Sequence, residues 1–177
     1  NNQQKVNSAI KVGSLLFNSG DNFAVNDAET VNIAGVQNVS AWLFDGEIVQ
    51  LSNGLVDQVQ DLTGAQTSLF QKTNEGYIRI ASTVRNESGK RAIGTVIPSN
   101  SEIAVKINAG QQFNGRAIVV NEWMLTSYEP IYHNGQIIGM IGIGIPEKDL
   151  QSLKEIFDSK VYFEDGYSLD ITRLVDK

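Results

Sequence analysis

Five consecutive segments between residues 65 and 145 alternate apolar and polar residues with a period of two. In chain order they are AQTSLFQKT, GYIRIASTV, RAIGTVI, GRAIVVNEWMLTSYEPIY and QIIGMIGIGI. Alternation of this kind is typical of β-strands that turn one face toward a core. Because turn residues separate most of the segments, the pattern predicts one antiparallel sheet of five strands.

Helical patterns precede and interrupt these segments. Residues 1–17 are predicted to be the end of a helix because their apolar side chains recur at helical spacing, at Val6, Ile10, Leu16 and Phe17. A shorter helix is predicted over 55–62. A third is predicted over 98–110, where Ser99 is placed to cap the start and Gly110 to supply a left-handed stop.

Two tight turns and a last helix complete the predicted elements. The dipeptide Asp45-Gly46 joins the arms of a hairpin over 39–51, and Asn134-Gly135 joins the last two strands. Pro146 is predicted to open a final helix, whose apolar face consists of Leu150, Leu153, Ile156 and Phe157.

The composition limits the class of protein. A chain of 177 residues fits one domain with a single core. Its formal charge of -6 and the lack of a basic stripe argue against nucleic acid as a partner. No apolar run approaches the roughly 20 residues of a membrane-spanning helix. The absence of cysteine excludes thiolate chemistry, disulfides and zinc sites of the Cys type.

No set of residues has the pattern of a catalytic, metal or cofactor site. The single histidine, His133, falls in a predicted turn, whereas a catalytic triad needs a partly buried histidine held by a carboxylate. The glycines of GMIGIGI lie inside a strand instead of opening a helix as in a dinucleotide fingerprint. They allow another backbone or a ligand to approach closely, and close packing is the favoured interpretation. We expect no enzymatic activity, no metal and no cofactor.

Arginine side chains interrupt the apolar strands. Strict alternation places Arg79 on one face with Tyr77, Ala81 and Thr83. If that face is solvated, Arg79 is an ordinary surface charge. If a helix or loop covers it, a cation beside an aromatic ring and a hydroxyl suits a small carboxylate through bidentate hydrogen bonds. Spacing alone leaves both interpretations open. Arg91 and Arg116, next to turns, are expected to bond a loop carbonyl or a carboxylate.

Several motifs, in this order, resemble those of one known family. They are T-x-x-F-Q from Thr67, R-A-x-G-T from Arg91, F-x-G-R-A from Phe113 and Y-E-P-I from Tyr128. Over residues 36–157 the sequence resembles the extracytoplasmic Cache sensor domains of bacterial methyl-accepting chemotaxis receptors and sensor histidine kinases. The Cache 3/Cache 2 fusion type is the most similar form.

The resemblance implies an α+β, PAS-like fold, with a long N-terminal helix and a five-stranded antiparallel sheet covered on one face by helices and loops. It implies a single sensor domain over 1–157, in which residues 1–17 end the N-terminal helix and residues 36–157 form the core. The tail, 158–177, resembles the segment that opens a second module in longer relatives. The strand count from periodicity agrees with this fold.

By the same resemblance, the domain binds a small metabolite, a carboxylate or an amino acid, between the sheet and its cover. The residues expected to line the site are Tyr77, Arg79, Thr95, Trp123 and Tyr128. Arg79 is expected to hold an anionic group of the ligand, and Arg91 to fix the turn between its two strands. Relatives commonly have Trp-Tyr where this chain has Trp123-Met124, so the identity of the ligand does not carry over.

The resemblance also places the domain outside the cytoplasmic membrane, periplasmic or extracellular, held by a membrane helix upstream of residue 1. The apolar stripe of residues 1–17 is expected to pair with the same helix of a second chain in a homodimer. The alternative is a dimerisation or protein-interaction module without a ligand, whose cavity is filled by Ile78, Met124, Met140 and Ile141.

Overall fold

The computed structural model describes residues 2–35 and 37–150. Its helices are α1 (Asn2–Asn18), α2 (Gly54–Thr63) and α3 (Glu102–Asn108), and a 3₁₀ turn spans Val49–Leu51. Its strands are β1 (Phe23–Ile33), β2 (Gln37–Phe44), β3 (Glu47–Ile48), β4 (Gln66–Thr73), β5 (Gly76–Ser82), β6 (Val96–Pro98), β7 (Phe113–Val119), β8 (Glu122–His133) and β9 (Gln136–Pro146).

The strands form two antiparallel sheets. The larger sheet has six strands in the order β6-β5-β4-β9-β8-β7, and the smaller has three in the order β1-β2-β3. Pairing of β4 with β9 joins the β4-β5 and β8-β9 hairpins at the centre of the larger sheet. Helices lie on its faces and do not alternate with its strands, so the fold class is α+β as predicted.

One face of the larger sheet carries the main hydrophobic core. α1 packs against β8 and β9 through the residues Val6, Ala9, Ile10, Gly13 and Phe17, which recur every three or four positions. Gly13 marks the closest approach, because a Cβ there would lie 2.2 Å from Cδ1 of Ile141. The smaller sheet and α2 complete this core, with Trp42 and Val56 fully buried.

The opposite face packs under α3. A separate apolar cluster joins this helix to the sheet, and it consists of Phe70, Tyr77, Ala104, Ile107, Phe113, Tyr128 and Met140. Oγ of Ser101 caps the helix by accepting a hydrogen bond from the Ala104 amide at 3.2 Å. Because α3 has seven residues, it covers only part of the sheet and leaves a groove beside it.

Most predicted elements lie where the sequence pattern places them. α1, α2, β4, β5 and β9 match their segments. Both predicted turns form with positive φ angles, of 51° and 82° at Asp45-Gly46 and of 50° and 74° at Asn134-Gly135. Gly110 ends the α3 segment with a φ of 74°. The cap of α3, however, is Ser101 and not the predicted Ser99.

Two predicted strands are wrong in extent, and the larger sheet has six strands in place of five. The segment 115–132 is a hairpin of β7 and β8, because Val120 and Asn121 form a turn with φ of 48° and 68°. A β-branched residue rarely adopts a positive φ, so the sequence at Val120 does not predict a turn. The segment 91–97 pairs as a strand only from Val96, after Gly94 bends the loop with a φ of 89°.

The smaller sheet is more extensive than the predicted hairpin over 39–51. That hairpin corresponds to β2 and the two-residue β3, whereas β1 has no counterpart in the sequence prediction. Most side chains of β1 are exposed or half-buried, so it lacks the apolar alternation that would reveal a strand. Of the final helix predicted from Pro146, residues 147–150 are helical. Its other predicted residues, and the tail 158–177, lie outside the described residues.

A β-bulge in β5 changes which side chains share a face. Phe70 pairs with Arg79 while Leu69 pairs with Ala81, so Ile80 is an extra residue between the two pairs. Strict alternation is therefore wrong beyond Arg79. Ala81 belongs to the α1 face, and Ser82 lies on the Arg79 face.

The glycines of β9 lie where neighbouring groups leave no room for a side chain. A Cβ on Gly139 would lie 2.2 Å from the Phe70 carbonyl oxygen and 2.4 Å from Cη2 of Trp42. A Cβ on Gly142 would lie 2.6 Å from Cε1 of Tyr128. Close packing, the interpretation that the sequence favours, is confirmed.

We expect Gly139→Ala to lower the free energy of unfolding by about 2–3 kcal/mol, because the added methyl group meets a backbone oxygen that cannot move aside. Gly20→Ala is the matched control, since the nearest atoms to its Cβ are 3.9 Å away, and we expect a change within about 0.5 kcal/mol. Urea unfolding followed by circular dichroism measures both. Equal stability of the two variants would contradict the packing described for β9.

Candidate ligand-binding site

Arg79 lies in the middle of β5 and is held by the loop that precedes β6. Its backbone amide donates to the Thr95 carbonyl at 2.9 Å, and its carbonyl accepts from the Gly94 amide at 2.8 Å. The side chain is only 4% exposed. The guanidinium lies over the Phe70 ring, with Cζ 4.8 Å from the ring centroid. Arg79 is therefore a buried cation and not a solvated edge charge.

The guanidinium of Arg79 has unused hydrogen-bond donors. Nη1 donates to Oγ1 of Thr95, whereas Nε is fully buried and has no acceptor. Within the described part of the chain, no carboxylate forms an ion pair with this side chain. Burial lowers the pKa of Arg79, and the nearby Tyr128 acts in the opposite direction. An ion buried without a counter-ion costs stability, on the order of several kcal/mol.

A groove of about 490 Å³ opens beside α3, and Arg79 is part of its wall. The rest of the wall comes from Tyr128, Ser101, Ile103 and the segments 95–98 and 117–121. The segment 95–98 belongs to one edge of the larger sheet and 117–121 to the opposite edge. The sheet therefore curls far enough for both edges to line one groove.

Tyr128 supplies a second polar group to this groove. The side chain is 3% exposed, and its ring packs against Phe70 and Phe113 with centroids 6.1 Å and 6.0 Å apart. Burial raises the pKa of Tyr128 to about 12, although the positive charge of Arg79 acts in the opposite direction. The hydroxyl is therefore protonated at neutral pH, and no described residue forms a hydrogen bond with it. It can donate to a ligand.

A small inner cavity of about 10 Å³ adjoins the groove, sharing Arg79, Val119 and Tyr128 with it. Val84 and residues of β4, β8 and β9 complete its wall, among them Gln66, Ser68, Thr126 and Gly142. Oε1 of Gln66 is buried and accepts no hydrogen bond. Nε of Arg79 is likewise buried and donates none. A space of this size holds about one water-sized group.

The structure brings three of the five predicted site residues to the groove. Arg79, Thr95 and Tyr128 line it. Tyr77 is on the same face but belongs to the packed cluster under α3, where its hydroxyl donates to Oδ1 of Asn108 at 2.6 Å. Trp123 is 45% exposed and lies beside Arg116, whose Cζ is 4.2 Å from the indole centroid. Trp123 does not line the groove, although its partner in β7, Ile118, does.

Sequence analysis missed several residues of the groove and the inner cavity. Gln66 and Ser68 follow from the alternation of β4, since they share a face with Phe70. Ile103 and Val119 carry no such signal, because they reach the groove through the position of α3 and the curl of the sheet.

Arg91 and Arg116 bind carboxylates outside the groove, as expected from their neighbouring turns. Nη1 and Nη2 of Arg91 donate to the two carboxylate oxygens of Asp57 at 2.6 Å and 2.9 Å. Nη1 also donates to the Ser82 carbonyl at 2.9 Å, which ties the loop before β6 to both α2 and β5. Arg116 forms an exposed ion pair with Glu147.

The described residues contain no group of histidine and acidic side chains that could hold a metal ion. His133 lies at the β8-β9 turn, where its ring contacts that of Phe23 with centroids 6.4 Å apart. None of the helices in the described ranges is long and apolar enough to cross a membrane.

The sequence profile of the Cache 3/Cache 2 fusion domain matches residues 1–172. The chain belongs to this family. The α+β architecture of the Cache domain, with its N-terminal helix packed on an antiparallel sheet, is the fold that the sequence predicts. No curated protein matches the chain.

Solved structures similar to this Cache domain are chemoreceptor ligand-binding domains. That of the Campylobacter jejuni chemoreceptor Tlp3 in complex with 4-methylisoleucine is 19% identical over 58% of this chain and 41% of its own, with a TM-score of 0.40. The same domain with L-valine gives 18% identity, 59% and 43% coverage and a TM-score of 0.38. Methyl-accepting chemotaxis protein X is 14% identical over 91% of this chain and 60% of its own, with a TM-score of 0.49. The chain thus spans less than two thirds of each of these structures.

We expect Arg91→Met to lower the free energy of unfolding by about 1 kcal/mol without changing ligand affinity, because it removes contacts to Asp57 and Ser82 that lie outside the groove. Arg116→Met is the control and should have a smaller effect, since its ion pair is exposed. Thermal unfolding of both variants measures the difference. An Arg91→Met protein of normal stability but weakened ligand binding would contradict a structural role.

Proposed function

We propose that this domain is the extracytoplasmic ligand-binding sensor of a transmembrane chemoreceptor or sensor histidine kinase. The ligand is a small metabolite, a carboxylate or an amino acid, and binding transmits a signal across the membrane. The observation that carries the proposal is the buried guanidinium of Arg79, which has unused donors at the wall of an open groove.

The polar part of the proposed site consists of Arg79, Tyr128 and Thr95. The unused donors of the Arg79 guanidinium and the hydroxyl of Tyr128 donate to an anionic group of the ligand. Oγ1 of Thr95 accepts from Nη1 and fixes the orientation of the guanidinium. Tyr77 supports the site from the cluster under α3. We leave Trp123 out of the proposed site because it does not line the groove.

The role we propose is binding without catalysis. The described wall of the groove includes the hydroxyl groups of Thr95 and Ser101 but no histidine or carboxylate to act as a base. His133 is at the distant β8-β9 turn. Covalent or acid-base chemistry would need one of these groups to be activated.

A dimerisation or protein-interaction module remains the second candidate. It is favoured by exposed apolar residues on one side of the domain, namely Val12 (40%), Leu15 (61%) and Leu62 (71%). This candidate requires a cavity filled by the domain's own side chains. Met124 and Met140 do lie on the groove side of the sheet, but about 490 Å³ is left open, which supports ligand binding.

We further propose that the sensor domain covers residues 1–157 and that a membrane helix upstream of residue 1 anchors it. In the intact receptor, α1 pairs with α1 of a second copy. Val6, Ile10 and Phe17 of the predicted apolar stripe are buried within the domain, so the pairing uses the exposed residues Val12 and Leu15, whose burial is favourable. A Leu15→Cys variant of the full-length receptor should form disulfide-linked dimers in membranes on mild oxidation. Asn100→Cys, in the loop before α3, is the control that should not crosslink.

We expect a small anionic ligand at 100 times its Kd to stabilise the wild-type domain by about 2.7 kcal/mol, which raises the melting temperature by roughly 5–10 °C. Arg79→Met should weaken the affinity for that ligand at least about tenfold, because a charge-assisted hydrogen bond is lost. The unliganded variant should be as stable as the wild type or more stable, since a buried charge without a counter-ion has been removed.

Thermal shift screening against carboxylates and amino acids, followed by calorimetry, makes these measurements. Arg116→Met is the matched control, because it removes an arginine from the surface and should leave affinity unchanged. A folded Arg79→Met protein with wild-type affinity would show that Arg79 does not hold the ligand.

A further inference from the structure

We infer that the groove selects a short aliphatic monocarboxylate over an α-amino acid and over a dicarboxylate. This inference rests on the function proposed above, since it names the ligand class of the same site. It follows from the charges of the groove, from the hydrogen bonds that its polar side chains already form within the domain, and from its apolar surface.

The charge of the site is set by Arg79. The groove is lined by Arg79, Tyr128, Ser101, Ile103, 95–98 and 117–121, and these described residues include no Asp or Glu. A monocarboxylate therefore neutralises the site with one negative charge. The ammonium group of an α-amino acid would instead bring a second positive charge to within a few ångströms of the guanidinium, with no carboxylate from the described wall to offset it.

The hydroxyl groups of Thr95 and Ser101 are already engaged, which leaves the groove with donors for the ligand and few acceptors. Oγ1 of Thr95 accepts from Arg79 and donates to the Ala92 carbonyl at 3.0 Å. Oγ of Ser101 donates to the Pro98 carbonyl at 2.7 Å and accepts from the amide at the start of α3. The side-chain amide of Asn121, at the exposed β7-β8 turn, also lines the groove and offers both a donor and an acceptor, but it is neutral. Arg79 and Tyr128 are the buried groups left with unused hydrogen-bonding capacity, and both suit carboxylate oxygens.

A further neutral acceptor lies close by but not in the groove. Oε1 of Gln66 lines the inner cavity of about 10 Å³, which holds no more than a water-sized group. A single neutral amide oxygen there does not balance an ammonium ion that is also repelled by Arg79.

The remaining surface of the groove favours an uncharged hydrocarbon body. Apolar residues from both edges of the sheet and from the start of α3 line it, among them Ile97, Ile103 and Val119. A second carboxylate at the far end of the ligand would meet these side chains without a cation to pair with. The same surface therefore disfavours dicarboxylates.

The test is isothermal titration calorimetry at pH 7 of the 177-residue chain with three probes of equal chain length: pentanoate, L-norvaline and glutarate. They share five carbons and differ in one ammonium group or one further carboxylate. The same comparison at three carbons, with propanoate, L-alanine and malonate, prevents a mismatch of length from deciding the result. At whichever chain length binds more tightly, we expect the monocarboxylate to bind at least about 30-fold more tightly than the amino acid or the dicarboxylate of that length.

The outcomes separate this inference from the proposed function. Binding of L-norvaline or glutarate as tightly as pentanoate, and lost in Arg79→Met, would overturn the selectivity and leave the sensor proposal standing. Binding of none of the six probes would overturn this inference. If a broader screen of carboxylates and amino acids also found no ligand, the proposed function would fail with it.

Discussion

Ile80 is an extra residue in β5, and the bulge that it forms decides which side chains face the groove. Up to Arg79 the strand matches β4 residue for residue, so the guanidinium lies over Phe70 on the α3 face. Beyond the bulge, the residues of β5 that face each side of the sheet are exchanged. Ala81 therefore packs in the core under α1, and Oγ of Ser82 forms a hydrogen bond with Oγ of Ser68 at 2.8 Å. A bulge also increases the local twist of a sheet. This added twist is consistent with the curvature of the larger sheet, which brings both of its edges to one groove.

The sequence predicted the parts of this fold that depend on local pattern. The amphipathic stripe of α1, the alternation of β4 and the dipeptides of two tight turns each have a local physical cause, and the structure confirms them. It did not predict β1, whose side chains are largely exposed, or the turn at Val120 and Asn121. At that turn, tertiary pairing of β7 with β8 overrides the low tendency of valine to adopt positive φ.

The candidate site was predictable only in part, because it joins segments that are far apart in the chain. Arg79 could be identified as unusual from its position within an apolar strand, but its burial depends on the loop at Thr95 and on the opposite sheet edge. Trp123 shows the converse. Its type suits a ligand site, yet it lies beside Arg116 and does not line the groove. Residue type alone could not distinguish the two cases.

A single loop connects the groove to the helices on the other side of the sheet. Thr95 holds the guanidinium of Arg79, and four positions earlier Arg91 holds Asp57 of α2, which packs against α1. Arg91 is balanced by a carboxylate, whereas Arg79 has none among the described residues. The domain therefore stabilises one arginine of this pair within the fold and leaves the other with its charge unmatched. A buried charge of this kind lowers stability, and the apolar cores on the two faces of the sheet offset that cost. Such a local conflict in an otherwise consistent fold is typical of a functional site, because a ligand that supplies the missing charge also removes the cost.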